Sequence, residues 1–233
     1  SSSDDIASVF FDNDKNLWLI LNTNDILYFN FKNQKHKYLS STKYKNIGNI
    51  TSLAQDSKKN IWFINNYRVL FKIDINTFEI TETFNTSSFQ KNENNYYVMT
   101  IDSDDDIWFY NTNSPDGLYL FDINEKETVW FNQNTSYPKL NNNLIRGVLE
   151  EKKGIIWIGI DHGGINIYDK SKNKISYVLN NPDNENSISQ NVVTCMYKDK
   201  DNIMWVGTFK KGLNYYHSNL LKFRHIKHES SNP

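Results

Sequence analysis

Short runs of alternating apolar and polar residues recur along this chain with a fixed landmark. Five segments align, opening at Val9 (VFFDNDKNLWLI), Leu53 (LAQDSKKNIWFI), Met99 (MTIDSDDDIWFY), Val148 (VLEEKKGIIWIG) and Cys195 (CMYKDKDNIMWVG). Each reads as an apolar strand, an acidic polar turn, and a second apolar strand around a tryptophan. The tryptophans are Trp18, Trp62, Trp108, Trp157 and Trp205, spaced by 44, 46, 49 and 48 residues. An aromatic run follows each, opening at Ile26, Val69, Leu118, Ile165 and Leu213. A polar turn and a fourth short run follow, opening at Lys37, Ile80, Thr128, Ile175 and Phe223.

Four short antiparallel strands repeated at this period predict an all-β chain. The predicted fold is a β-propeller of four-stranded blades, at about 6–45, 46–90, 91–140, 141–185 and 186–229. No stretch of useful length has helical periodicity. The five tryptophans are expected to be structural, each packed between neighbouring sheets. Burying one removes roughly 150–250 Å² from water, worth at most about 4–6 kcal/mol. Trp130 is the exception: it lies on an outer, fourth strand, exposed or facing a partner.

The turns carry their own logic. Asp12, Asp56 and Asp199 open hairpins rich in Asp and Asn, which bond to the backbone and tolerate positive φ. Gly154 serves the fourth repeat. The run from Asp102 to Asp106 resembles a calcium loop but lacks the sixth-position glycine and the distal glutamate, so it is expected to be a turn.

Composition narrows the function. The chain is 38% hydrophobic with a mean hydropathy of -0.66, yet 15% aromatic, which suits thin sheets with narrow apolar seams. Net charge is -1, from 26 basic and 27 acidic residues, with no basic block. Nucleic acid is therefore not an expected partner. The single cysteine, Cys195, excludes an internal disulfide and reads as a small core residue. No apolar run approaches the roughly 20 residues of a membrane span. The residues Ser1–Asp5 read as a boundary with no signal peptide before them.

The fourth and fifth repeats resemble the two-component regulator propeller repeat. The resemblance rests on VLEEKKGIIWIGIDHGGINIYDK from Val148, on CMYKDKDNIMWVGTFKKGLNYY from Cys195, and on the linker NPDNENSIS from Asn181. The first three repeats depart from it after tryptophan, where Leu19-Ile20, Phe63-Ile64 and Phe109-Tyr110 replace Gly-Thr. The resemblance implies an extracytoplasmic, periplasmic sensor domain of a bacterial hybrid histidine kinase, tethered to the inner membrane through its parent protein. It implies an oligosaccharide or related small ligand, seven blades per propeller, a second propeller in the parent receptor, and a homodimer. The final residues, His228–Pro233, match the start of a blade linker, so the expected array is part of a larger ring, the alternative being a closed five-bladed ring.

In propellers the first strand of each blade is innermost. The loop before it and the loop between strands two and three then share one face. Here those second-to-third loops are Asn22–Asp25, Asn65–Arg68, Asn111–Asp116, Asp161–Gly164 and Thr208–Lys211. The lead-in segments contribute Tyr96, Tyr97, Asn143, Arg146 and Asn191. Sugars are held by aromatic faces and by planar amides or charged forks. The candidate ligand-binding residues are Tyr67, Arg68, Tyr97, Arg146, Asp161, His162, Phe209 and Lys210. The plainer alternative is a solvated rim of ordinary loop residues.

No catalytic residue, metal or cofactor is expected. Three arginines leave no slack for a sialidase, and the acids lie mostly in turns at the opposite end, leaving Asp25, Asp116 and Asp161. His36, His162, His217, His225 and His228 show no ligand spacing. A protein-interaction propeller is the second reading, and a polysaccharide lyase or hydrolase the remote third.

Overall fold

The computed structural model describes residues 5–44, 47–86, 94–135, 138–184 and 186–218, and the backbone of 224–226. The residues 1–4, Phe223 and His228–Pro233, on which sequence expectations also fell, lie outside the described residues.

Among the described residues twenty strands form five four-stranded sheets. The first holds β1 (Ile6–Phe11), β2 (Leu17–Leu21), β3 (Ile26–Asn30) and β4 (Lys35–Leu39). The second holds β5 (Ile50–Gln55), β6 (Ile61–Asn65), β7 (Val69–Asp74) and β8 (Glu79–Asn85). The third holds β9 (Tyr97–Ile101), β10 (Ile107–Asn111), β11 (Leu118–Asp122) and β12 (Glu127–Phe131). The fourth holds β13 (Ile145–Lys152), β14 (Ile155–Ile160), β15 (Gly164–Asp169) and β16 (Lys174–Val178). The fifth holds β17 (Val193–Lys198), β18 (Met204–Thr208), β19 (Gly212–Tyr216) and β20 (Arg224–Ile226). Within every sheet the strands follow one another in chain order. Among the described residues the only helical pieces are single 3-10 turns at Ser41–Lys43 and Lys170–Lys172.

The chain divides into two compact units. One is Ser1–Ile101 with Asp105–Phe109 and Phe121–Thr128; the other is Asp102–Asp104, Tyr110–Leu120 and Val129–Pro233. In the first unit the core lies between sheets one and two. Trp18 stacks on Phe78 at 5.6 Å and meets Tyr28 at 4.6 Å, with Ile20, Leu53, Phe63 and Ile73 around them. In the second unit Trp157 meets Tyr216 of sheet five at 5.0 Å, beside Ile188, Val193 and Val206. A tryptophan from one sheet thus packs on an aromatic of the next, because a single thin sheet has nothing to bury it against.

Four of the five tryptophans are buried: Trp18, Trp62, Trp108 and Trp157. Trp205 is partly exposed. Cys195 corrects the sequence reading more sharply, since it is exposed and not a core residue. Register gives the reason. Cys195 pairs with Gly207, two positions from the Tyr197–Trp205 pair, so all share one face of sheet five. Tyr197, on that face, is itself exposed. The chemistry of β17 is apolar, but among the described residues no sheet covers this face.

The hairpin turns are more specific than Asp/Asn richness implied. The left-handed position falls at Lys15, Lys59, Asp105, Gly154 and Asn202, so lysine holds it in the first two repeats. The opening aspartate acts as acceptor instead. Asp12 Oδ1 takes the Asp14 and Asn16 amides, while Oδ2 takes the Asn16 side chain and the Trp18 indole N–H. Asp102 is engaged by the Lys170 ammonium at 2.7 Å, and Asp104 by Lys170 and Lys153. The calcium-like run is thus a turn closed by lysines.

Candidate functional site

Antiparallel order places the start of a first strand beside the loop between strands two and three. Backbone hydrogen bonds join the two in sheets one, two, four and five: Asn22 N to Asp5 O, Asn66 N to Asn49 O, Asp161 N to Leu144 O, and Phe209 N to Val192 O, at 2.8–3.0 Å, whereas Gly117 N on the sheet-three loop donates to Asn143 O in the segment leading into sheet four. The candidate residues therefore gather at one end of their own sheets.

In the first unit the loop of sheet two is built around Asn65. Its buried side-chain oxygen accepts from the Tyr67 and Val69 amides, and its Nδ2 donates to Ile47 O. Arg68 takes the left-handed position at φ 59 and is only 8% exposed. Its carbonyl accepts from Thr86. Tyr97 is 3% exposed and lies edge-on to Phe109 at 6.2 Å, so it faces the protein interior. Tyr67 is partly exposed at the loop tip.

In the second unit the structure brings three candidates together. The first strand carries a register break between Ile145 and Gly147, and Arg146 is the residue it displaces. The same break recurs in sheets one, two and five, at Ala7, Thr51 and Thr194. A bulge re-aims the side chain it carries. Arg146 thereby reaches across the sheet end to Asp161, with Nη2 2.8 Å and Nε 3.3 Å from Oδ2. His162, at φ 60 and 74% exposed, puts Nδ1 2.6 Å from the other oxygen, Oδ1. That pair has the distance of an ion pair without hydrogen-bond alignment, so Asp161 Oδ1 accepts no hydrogen bond among the described residues. Phe209 and Lys210 occupy the sheet-five loop. Phe209 is 49% exposed, Lys210 sits at φ 60, and its ammonium lies 4.9 Å from the Phe209 ring centroid.

The loop carboxylates are engaged in structural bonds. Asp25 is buried and accepts from Tyr38, Thr23 and the Ser41 amide. Burial pushes its pKa up, but those hydrogen bonds outweigh it and hold the group below its ordinary value. Asp116 accepts from Asn111 and Ser114. Behind Arg146, burial pushes the Tyr110 phenol up to about 12, against a small opposing effect of the guanidinium. Among the described residues no group of three or more His, Cys, Asp or Glu could hold a metal ion.

Two residues that shape this end escaped the sequence reading. Asn166 and Asn214 are fully buried on third strands. Asn166 exchanges hydrogen bonds with Asn141, and Asn214 with Ser189, pinning the linkers that lead into sheets four and five. The signal was present: each stands two residues after the glycine that ends the loop.

Comparison with known proteins fits this architecture. Residues 187–210 match the two component regulator propeller family model. That stretch runs from the linker of sheet five through Phe209 and Lys210. Among solved structures the chain is similar to the extracellular domain described as that of hybrid two component system BT3049 from B. thetaiotaomicron. The identity is 18% and the TM-score 0.64, over 95% of this chain and 30% of that one. It is similar also to the corresponding domain of BT4673 from the same organism, at 16% identity and TM-score 0.60, over 100% of this chain and 34% of that one. A third is the Cps50 (Swd1) β-propeller domain of Myceliophteria thermophila, at 12% identity and TM-score 0.66, covering 95% and 68%. The chain thus spans about a third of the length of the two bacterial domains. No curated protein sequence matches it. Among the described residues no helix is long and apolar enough to cross a membrane. The chain has a β-propeller fold and carries, at residues 187–210, the two component regulator propeller repeat.

Proposed function

We propose that this chain is a ligand-sensing segment of the extracytoplasmic, periplasmic domain of a two-component receptor. Its ligand is an oligosaccharide or related small molecule, and the bound state is relayed to a histidine kinase in the parent protein. The segment itself performs no catalysis. In this reading the five sheets belong to a larger, seven-bladed ring, and the parent supplies the remaining blades, a second propeller, a membrane tether and a homodimeric partner. The observation that carries it is the bulge-directed Arg146, paired with Asp161 and flanked by the exposed His162, at the same loop end as Phe209. A fork of donors, a carboxylate and an open aromatic face are the groups that hold a sugar. Phe209 and Lys210 fall within the repeat that matches the receptor family. In the first unit, taken by itself, Tyr67 is the partly exposed candidate on the sheet-two loop.

A ligand that binds the folded state raises its melting temperature by mass action. The complete extracellular domain, screened against a broad glycan panel, is expected to show such a shift, lost in Arg146→Ala. No shift from any glycan would overturn the reading. A scaffold function is favoured by a different feature, the exposed outer strands: Trp130 is 47% exposed although stacked on Tyr119, and Tyr177 is open as well. Concentration-dependent association without any ligand shift would establish that reading instead.

A further inference from the structure

Sheets pack on one another by the same rule in both units. In the first unit the tryptophan face of sheet one, with Trp18 and Ile20, is covered by Ile50, Leu53 and Phe63 of sheet two. In the second unit the tryptophan face of sheet four, with Trp157 and Ile165, is covered by Val193, Met196 and Val206 of sheet five. Register makes the two covers equivalent, since Leu53 pairs with Phe63 as Met196 pairs with Val206. Met196 enters as a knob. A Cβ added at Gly159 would lie 2.8 Å from its sulfur, and one at Gly147 would lie 3.4 Å from its Cβ. A tryptophan face therefore takes the first strand of a following sheet, because neither thin sheet can bury its apolar side alone.

The chain also exposes both halves of that interface. Sheet five turns its own tryptophan face outward: Cys195 pairs with Gly207, and Tyr197 with Trp205. Tyr197 is 64% exposed, and the atoms nearest a Cβ at Gly207 belong to Cys195 and Thr194 of the same sheet. Sheet one turns the covering face outward. Ile6 and Val9 are 56% and 52% exposed, although their counterparts Ile50 and Leu53 in sheet two are buried. Large exposed apolar faces of this kind mark interaction sites. Charge shows which partner fits. Asp14 of the first hairpin pairs with Lys59 of the sheet-two hairpin at 2.7 Å, and Asp104 with Lys153 of the sheet-four hairpin at 2.7 Å. Asp201 stands two residues after Asp199, as Asp14 stands after Asp12. Lys15 holds in sheet one the left-handed position that Lys59 holds in sheet two, at φ 65 and 66. Asp201 and Lys15 are both exposed.

We infer that copies of this chain associate head to tail, the Tyr197–Trp205 face of sheet five in one copy seated on the Ile6–Val9 face of sheet one in another. Val9 enters the notch at Cys195 and Gly207, as Met196 enters the one at Gly147 and Gly159. Asp201 pairs with Lys15, as Asp14 pairs with Lys59. Such a contact joins two different surfaces, so each added copy leaves one face of each kind open and growth continues unless a ring closes. In the larger ring proposed above, further blades take the same two faces. The contact between copies is the one this chain makes by itself, and it does not depend on the sensing function.

The test is sedimentation velocity of the 233-residue protein over a range of concentrations. Species of two or more chains of 27.5 kDa are expected, growing with concentration. Tyr197→Lys and Val9→Lys each place a charge in one face only, at positions exposed enough to leave the melting temperature unchanged. Each variant alone is expected to be monomeric. Their mixture is expected to form a dimer and nothing larger, since one open face of each kind remains. Lys15→Asp sets two carboxylates together and is expected to weaken association at least about tenfold, and Asp201→Lys in the same chain to restore it. A protein that stays monomeric at every concentration overturns the inference and leaves the sensing function standing. Monomers whose melting temperature falls in both Tyr197→Lys and Val9→Lys overturn it too, by showing that the chain covers the two faces itself. Association that persists in both of these variants overturns the assignment of the faces.

Discussion

Asp56 and Trp62 are joined by a hydrogen bond of 3.0 Å from the buried indole N–H to Oδ2 of an equally buried carboxylate. The same bond links Asp12 to Trp18 at 3.0 Å and Asp199 to Trp205 at 2.8 Å. One carboxylate thus closes the hairpin with Oδ1 and fixes the inter-sheet tryptophan with Oδ2. Turn geometry and inter-sheet packing are set by a single side chain.

Replacing Asp56 by alanine strands the Lys58 and Asn60 amides and leaves the Trp62 indole N–H buried without an acceptor. A lost buried partner costs about 1–3 kcal/mol, so Asp56→Ala is expected to destabilise by about 2–4 kcal/mol in urea unfolding. Asp56→Asn keeps one oxygen and serves either the turn or the indole, and is expected to lose about half as much. Equal losses in the two variants would show that the dual role is not what the aspartate supplies.

That pairing shows where the sequence was readable. Strands were legible because alternation and a periodic tryptophan report on burial directly. The aspartate was legible as a turn residue, which concealed its second bond. The constant spacing of six residues from acid to tryptophan was the available clue. Asn166 and Asn214 were hidden differently, because a buried polar group inside an apolar strand contradicts the pattern by which the strand is recognised. The candidate site was least legible. Arg146 and Asp161 stand 15 positions apart and meet only because a bulge displaces the arginine, and no local pattern announces a bulge. Cys195 and Trp205 were misplaced since alternation tells which face a residue is on, but not whether another sheet covers it.

Acid should weaken the fold over a defined window. Hydrogen bonds from Lys172 and Ser171 hold Asp169 down to about 2, and the Trp205 indole holds Asp199 below its ordinary range. Lys153 and Lys170 do the same for Asp104, and Lys43 and Tyr44 for Glu79. A carboxylate whose pKa is depressed by folding contributes stability above its unfolded pKa of about 4 and loses it as pH falls through the folded value. The melting temperature is therefore expected to be flat above about pH 5 and to fall progressively from about pH 4 to 2. Asp169→Asn should flatten the lower part of that slope. An unchanged slope would assign acid sensitivity to other groups.

Gly164 and Gly154 share a left-handed backbone, at φ +64 and +73, but not their surroundings. An alanine Cβ at Gly154 would approach nothing nearer than Lys170 Cβ at 3.8 Å, so Gly154→Ala meets only the backbone cost of about 1–2 kcal/mol. At Gly164 the added carbon would lie 2.4 Å from the Val178 carbonyl oxygen and 3.0 Å from Leu179. A backbone carbonyl paired into the sheet edge does not swing aside, so the loop itself must move. Gly164→Ala is expected to cost about 3 kcal/mol or more in urea unfolding. The displacement would act on function too, since Gly164 N anchors the loop that carries Asp161 and His162 to Asn191. Ligand affinity should therefore fall in Gly164→Ala, at temperatures where the variant stays folded, and hold in Gly154→Ala. Equal stability losses in the two variants would mean that the Val178 carbonyl yields, and that the loop end is softer than its hydrogen bonds imply.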